Sequence, residues 1–129
     1  LMGWEVIKRG GRVTILSSVW EVLTRQEKMA YSVTKAAVGG LVRSMAVDLG
    51  AAKGILVNGI LPGIVDTPMS RGLLKPEQID AVLNGTPTGK LLVPADIGNT
   101  VYLLSSELNT AISGQSILVD NGFSIARKI

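Results

Sequence analysis

Three short apolar runs, separated by segments of helix or loop length, constrain the fold of this chain more than any other feature. Each run has the length of a strand and lacks the regular polar alternation of a strand that has one face in water. Their order along the chain, with a helix or a long connection between consecutive runs, is typical of a parallel sheet with right-handed crossovers. The sequence therefore predicts an α/β fold whose strands are Val13–Leu16, Ile55–Leu61 and Gln115–Val119.

The segments between the strands predict the helices and one long connection. An apolar stripe with helical spacing identifies the longest helix, and its members are Val38, Leu41, Val42, Met45 and Leu49. Residues 64–92 are predicted to be mostly loop, and a connection of this length is typical of a functional lid or a disordered segment. The predicted helices are the end of a helix at residues 1–10, a long helix from about Met29 to Leu49, a short helix from Pro76 to about Gly85 and a helix that begins at Pro94.

The composition excludes several classes of function. The chain has no Cys and no His, so a thiol nucleophile, a cysteine or imidazole metal site and a Ser-His-Asp triad are excluded. We expect no bound metal, and catalysis would use hydroxyls, carboxylates, amines or a cofactor. A net charge of +3 that is scattered along the chain, with 4% aromatic residues, disfavours nucleic-acid binding. Without a long apolar window or a visible secretory signal, we expect no membrane association and a cytoplasmic location.

A serine pair, a tyrosine and a lysine form the candidate reactive group. Ser17-Ser18 follows the first predicted strand, and Tyr31 and Lys35 are four residues apart, which places them on one face of the long helix. Together they could arrange a hydroxyl, a phenol and a cation around the carbonyl of a small molecule. Taken singly, each has an ordinary alternative: the serines as loop caps, Tyr31 as a packing residue and Lys35 as a solvated helix residue.

The combination of four segments, in this order and spacing, resembles the short-chain dehydrogenase/reductase family. The resemblance implies a Rossmann-like doubly wound parallel sheet and an NAD(P)-dependent oxidoreductase that interconverts a carbonyl and an alcohol by hydride transfer. A 3-oxoacyl-thioester reductase-like enzyme is the first subtype expected, and a sugar, polyol or steroid dehydrogenase is close behind. The four segments are Ser17–Lys35, Val57–Met69, Pro94–Gly98 and Gly114–Gly122.

The same resemblance assigns roles to individual residues. Tyr31 would be the acid/base, Lys35 would bind the nicotinamide ribose and favour the phenolate, and Ser18 would hold the substrate oxygen. The backbone of Pro62, Gly63 and Ile64 would contact the nicotinamide carboxamide, and Thr67 would contact the carboxamide or the pyrophosphate of NAD or NADP. Trp20 and Met69 could line the substrate pocket, although ordinary packing explains them equally well. Family members commonly form dimers and tetramers, so we expect a homodimer or homotetramer that packs through the small residues Ala36, Ala37, Gly39 and Gly40.

Three parts of the family pattern have no counterpart in these 129 residues. They are the Gly-rich turn of the dinucleotide fingerprint, the acidic or basic position that selects NAD or NADP, and the family's catalytic asparagine. We therefore expect residues 1–129 to be the C-terminal portion of a single Rossmann-like domain whose N-terminal dinucleotide-binding half is absent. Such a chain would expose Val13–Leu16 as an apolar sheet edge and would be inactive by itself. The alternative is a non-catalytic or partner-dependent half-protein that acts as a binding or assembly subunit.

Overall fold

A parallel three-stranded sheet forms the centre of the protein, as seen in a computed structural model that describes residues 3–126. The strands are β1 (Arg12–Leu16), β2 (Leu56–Pro62) and β3 (Ser116–Val119). The sheet order is β1-β2-β3 and both pairs are parallel, with Val13 opposite Val57 and Ile60 opposite Ile117. These observations confirm the predicted α/β fold.

Helices lie between the strands along the chain. The long helix α1 (Met29–Lys53) connects β1 to β2, and three shorter helices lie between β2 and β3. Two single turns of 3₁₀ helix, Gly3–Val6 and Val19–Glu21, stand before β1 and after it. The three shorter helices are α2 (Pro68–Leu73), α3 (Pro76–Gly85) and α4 (Pro94–Ser105).

The two faces of β2 pack into separate apolar clusters, because successive side chains of a strand point to opposite faces. Val57 points toward α1, and Ile60 points toward α4; both are fully buried. The predicted stripe of α1 is only partly correct, since Val42, Met45 and Leu49 are buried whereas Leu41 is 47% exposed. The first cluster is Met45, Leu49, Ile55 and Val57, and the second is Ile60, Leu92, Ile97 and Leu104.

Glycine sets the end of α1. Gly54 has a φ of 66°, a left-handed conformation that glycine adopts without steric cost, and its N–H donates to the carbonyl of Gly50. The helix therefore continues one turn past Leu49 and stops immediately before β2. This geometry delivers the chain to the centre of the sheet.

The connection between β2 and β3 contains more helix than the sequence predicts. The predicted helix from Pro76 is present, but α2 is additional. Thr67 caps α2: its hydroxyl accepts from the Ser70 N–H at 3.2 Å, and the Ser70 hydroxyl accepts from the Thr67 N–H at 2.9 Å. A helix of six residues is too short to show an apolar period in the sequence. The reciprocal hydrogen bonds between Thr67 and Ser70 define its start instead.

The N-terminal segment also differs from the prediction. Instead of the last turn of an α-helix, Gly3–Val6 forms a 3₁₀ turn, while Leu1 and Met2 lie outside the described residues. The Lys53 ammonium donates to the carbonyls of Glu5 and Ile7, each at 3.0 Å, and ties this segment to the end of α1. Among residues 3–126, no helix combines the length and apolar character needed to cross a bilayer.

Candidate active site

The carboxyl ends of β1 and β2 bring the candidate residues to one edge of the sheet. Parallel strands end at the same edge, so Ser17-Ser18 after β1 and Gly63-Ile64 after β2 become neighbours. The Ser17 N–H donates to the carbonyl of Ile60 at 2.8 Å, which continues the strand pairing one residue beyond β1. This edge is where open α/β sheets bind ligands.

Ser18 is buried and its orientation is fixed by the turn that follows it. Its Oγ accepts a hydrogen bond from the Trp20 N–H at 3.3 Å and caps the 3₁₀ turn Val19–Glu21. A hydroxyl has one donor and two acceptor positions, so this contact leaves the proton of Ser18 available to another oxygen. Ser17 Oγ donates to the carbonyl of Lys35 at 3.4 Å, which places the serine pair against the turn of α1 that carries Lys35.

Tyr31 lies in the first turn of α1 between two lysines. The ammonium nitrogens of Lys35 and Lys28 are 5.5 and 5.4 Å from the centre of its ring, within the range of a cation–π interaction. Within residues 3–126, no hydrogen bond joins the phenol oxygen of Tyr31 or the ammonium of Lys35 to another residue. Both groups therefore remain available to a ligand.

Lys28 is a neighbour of Tyr31 that the sequence did not identify. It precedes Tyr31 by three residues, a spacing that brings side chains together on a helix. It escaped notice because it lies just before the helix, where it is the N-cap residue of α1. The same i, i+3 rule, extended one residue beyond the predicted helix start, would have found it.

Gly63 is held so tightly that a larger residue would not fit. A β-carbon at this position would lie 2.8 Å from Cβ of Asp120. The N–H of Gly63 donates to the carbonyl of Val119 at 2.9 Å. The carbonyl of the next residue, Ile64, accepts from the Leu92 N–H at 3.2 Å. The predicted Pro62-Gly63-Ile64 backbone is therefore a rigid segment at the end of β2.

Thr67 and the segment beside it are fixed by local polar contacts. Besides capping α2, Thr67 follows Asp66, whose carboxylate accepts two hydrogen bonds from Arg71, at 2.6 and 2.8 Å. The Arg71 guanidinium holds the pKa of Asp66 below its ordinary value by hydrogen bonding, and the pKa of Arg71 is raised in turn. These contacts fasten α2 to Asp66, two residues before the helix begins.

A cavity of about 240 Å³ opens beside these residues. Trp20, predicted to be a pocket residue, lines it, and Ile64 forms part of the wall next to Gly63. Met69 does not line this cavity and is 73% exposed on α2. The remaining lining residues, which the sequence did not identify, are Arg25, Leu74, Gln78, Ala81, Val82 and Phe123.

The buried carboxyl of Glu21 links the serine segment to the far strand. Its Oε1 accepts a hydrogen bond of 2.6 Å from Ser116 Oγ at the start of β3. Its Oε2 is buried without a hydrogen-bond partner among the described residues. The turn that Ser18 caps is thus anchored at its other end across the sheet.

Comparison with protein families gives a match over almost the whole chain. A family model described as Enoyl-(Acyl carrier protein) reductase matches residues 3–124. Glucose 1-dehydrogenase of Gluconobacter oxydans (strain 621H) is 33% identical over 116 residues, which are 89% of this chain and 43% of that protein. The 7alpha-hydroxysteroid dehydrogenase of Escherichia coli (strain K12) is 37% identical over 123 residues, which are 95% of this chain and 48% of that protein.

Solved structures with the same fold include a short-chain dehydrogenase/reductase, described as a glucose/ribitol dehydrogenase, from Brucella melitensis. Its TM-score is 0.86 at 30% identity, and the match covers 95% of this chain and 49% of that one. A gluconate 5-dehydrogenase from Burkholderia cenocepacia J2315, in complex with NADP and tartrate, has a TM-score of 0.84 at 28% identity, covering 92% and 47%. The chain spans about half the length of the relatives it matches. Since the family match extends over nearly all of the described residues, the chain belongs to the short-chain dehydrogenase/reductase family.

Proposed function

We propose that this chain carries the acid/base half of the active site of an NAD(P)-dependent oxidoreductase that interconverts a carbonyl and an alcohol. The observation that supports it most directly is the pairing of Tyr31 and Lys35 beside the serine pair. The phenol and the ammonium lack hydrogen-bond partners within the described residues, and Ser17 joins the turn of α1 that holds Lys35. Groups left unpaired at the ligand-binding edge of an α/β sheet are suited to bind a substrate or a cofactor.

The residues present fit one part of NAD or NADP, the nicotinamide riboside. The donor set supports this fit: Lys35 and Tyr31 offer an ammonium and a phenol to the ribose hydroxyls, and the fixed backbone of Pro62, Gly63 and Ile64 would border the carboxamide. Thr67 would contribute from the N-terminus of α2, where its hydroxyl already caps the helix. When bound, the nicotinamide supplies or accepts the hydride. Among solved relatives, one contains NADP and another, a 7 alpha-hydroxysteroid dehydrogenase, contains NADH.

The chain's own groups would manage the proton and the substrate oxygen. Ser18 would donate its hydroxyl hydrogen to the substrate oxygen, because its Oγ is already oriented by the contact with the Trp20 N–H. Tyr31 would give its proton to that oxygen during reduction and take it back during oxidation. The ammonium groups of Lys35 and Lys28, both near the Tyr31 ring, would stabilise negative charge that develops on the phenol oxygen.

We also propose that residues 1–129 are the C-terminal portion of one Rossmann-like domain, completed by an N-terminal dinucleotide-binding half. Support comes from the coverage, since the chain spans about half of each relative, and from β1, which has one paired neighbour within the described residues. The complete protein would act on a small molecule as a homodimer or homotetramer. A 3-oxoacyl thioester is our first substrate class, in keeping with the acyl-carrier description of the matching family model.

The experiment is Tyr31→Phe in the complete polypeptide that the gene encodes. With a substrate found by screening, we expect turnover to fall by about 10²–10⁴-fold, the usual worth of a positioned acid/base, while titration still detects NAD(P) binding. The matched control is Tyr102→Phe, which removes the hydroxyl of an exposed tyrosine on α4 and should leave turnover unchanged. Near-normal turnover of Tyr31→Phe would refute the role, and no turnover by any form, with binding intact, would favour the assembly-subunit alternative.

A further inference from the structure

The cavity beside the candidate active site has a lining that discriminates between substrate classes. It begins at Trp20, two residues after Ser18, and reaches Ile64, directly after Gly63. Ser18 and Gly63 are not among its lining residues, but a near neighbour of each along the chain is. A substrate whose carbonyl lies at Ser18 would extend its body into this space.

The walls of the cavity offer few hydrogen bonds. Leu74, Ala81, Val82 and Phe123 contribute only apolar side chains. The side-chain oxygen Oε1 of Gln78 already accepts from the Lys75 N–H at 3.0 Å, so Gln78 offers a ligand mainly its side-chain NH₂ group. Several hydroxyls of a sugar or polyol would lose their hydrogen bonds to water on entering the cavity, and its walls would not replace them. This loss makes the binding free energy of such a ligand unfavourable. An apolar body would instead gain from leaving water.

Arg25 is the one cation among the lining residues. Its guanidinium lies over the ring of Trp20, 5.9 Å from the ring centre, and the side chain is exposed to solvent. The described residues contain an ion pair between Arg71 and Asp66 but none that involves Arg25. A guanidinium that is positioned by stacking and free of a carboxylate is suited to bind an anionic group.

We propose that the substrate of this site has an apolar body that carries an anionic group, which Arg25 binds. The inference rests on the proposed function and narrows it, because it excludes sugars and polyols and assigns Arg25 to specificity. The anion is a carboxylate or a phosphate, since guanidinium binds both. A 3-oxoacyl thioester on a phosphate-bearing carrier and an oxo-acid with an apolar skeleton both have this chemistry.

The test measures binding, so that it does not depend on turnover. Calorimetry on the complete polypeptide with saturating NAD(P) would compare octanoate, octyl phosphate, octanamide and gluconate. We expect octanoate or octyl phosphate to bind tightest, octanamide more weakly because it lacks the charge, and gluconate not at all. The tighter of the first two identifies the anion, and its affinity should fall with added salt.

Arg25→Gln should weaken binding of the tighter anion by about fivefold, the scale of a charge-assisted contact discounted for exposure, and leave octanamide binding unchanged. Arg43→Gln, which removes an exposed guanidinium on α1 outside the cavity, is the matched control and should change neither. Equal affinity of wild type and Arg25→Gln for both anions, or tighter binding of gluconate than of octanoate, would overturn the inference. Anion binding that depends on Arg25, with no hydride transfer to any carbonyl, would instead refute the proposed function and leave only the anion-binding role of Arg25.

Discussion

Replacing Gly39 with alanine should destabilise the protein, although alanine is the better helix former. Gly39 is buried in α1 directly against the carboxyl of Glu21, and an added β-carbon would lie 2.8 Å from Glu21 Cδ. The carboxyl cannot retreat freely, because its Oε1 holds Ser116 Oγ at 2.6 Å. The absence of a side chain at Gly39 is therefore what makes room for the contact between Glu21 and β3.

The magnitude follows from two opposing terms. Removing glycine from a helix interior gains about 1 kcal/mol. Overpacking costs about 1–3 kcal/mol, and a carboxyl that moves aside instead loses a hydrogen bond worth about 1.5–3 kcal/mol. Gly39→Ala should thus lower the free energy of unfolding by up to about 2 kcal/mol in wild type. In a Glu21→Ala background the obstacle is gone, and the same substitution should raise it by about 1 kcal/mol.

Urea denaturation of the complete polypeptide, at one protein concentration, would measure the change in the free energy of unfolding in both backgrounds. Each change should appear as a shift of the urea midpoint, with the dependence of the free energy on urea concentration unchanged. The control is Gly98→Ala in α4, where an added β-carbon meets nothing within 4 Å, so the substitution should stabilise both backgrounds equally. If Gly39→Ala changes the free energy of unfolding by the same amount, with the same sign, with and without Glu21, then Glu21 is not the obstacle at Gly39.

Three further predictions concern other parts of the fold. Arg71→Gln should raise the pKa of Asp66 toward its ordinary value, so that NMR detects the carboxyl titration at higher pH than in wild type; an unchanged titration would contradict this expectation. In wild type the ion pair stabilises the protein at pH values above the pKa of the unfolded carboxyl, about 3.9, and this stabilisation is lost as the pH falls through the lower pKa of the folded state. Asn58→Leu should lower the free energy of unfolding by about 2–4 kcal/mol, because the Asn58 amide bridges the Ile112 carbonyl at 2.7 Å and the Gln115 N–H at 3.1 Å; a change below about 1 kcal/mol in urea denaturation would disagree. The 129-residue chain by itself should associate or precipitate through the unpaired side of β1, and a stable folded monomer in analytical ultracentrifugation would argue against this.

The strands and the long helix were predictable because their signals are local. Apolar runs fix β1–β3, and the stripe that includes Val42 and Met45 fixes α1. Leu41 is exposed although the stripe predicts it to be buried, because the position of a residue around the helix, and not its hydrophobicity, determines whether it faces the sheet. Helix α2 escaped prediction since its definition is an exchange of hydrogen bonds between Thr67 and Ser70, not a periodic pattern.

The candidate site also has a part that the sequence predicts and a part that only the structure reveals. The roles of Ser18, Tyr31 and Lys35 come from the spacing of residue types and remain predictions, while their burial and contacts come from the structure. No sequence pattern joins Trp20 and Arg25 to the wall that α3 provides, because the cavity forms only when residues more than 50 positions apart meet. The packing of Glu21 against Gly39 is likewise a tertiary contact, invisible along the chain.

In the reaction proposed here, hydride passes from NAD(P)H to a carbonyl and Tyr31 moves the proton. The most direct measurement uses NAD(P)H deuterated at the transferring position of the nicotinamide and mass spectrometry of the alcohol product, for the complete wild-type polypeptide and for Tyr31→Phe. We expect deuterium on the former carbonyl carbon with wild type, and loss of product with Tyr31→Phe while the cofactor still binds. Deuterated alcohol formed at the wild-type rate by Tyr31→Phe would contradict it.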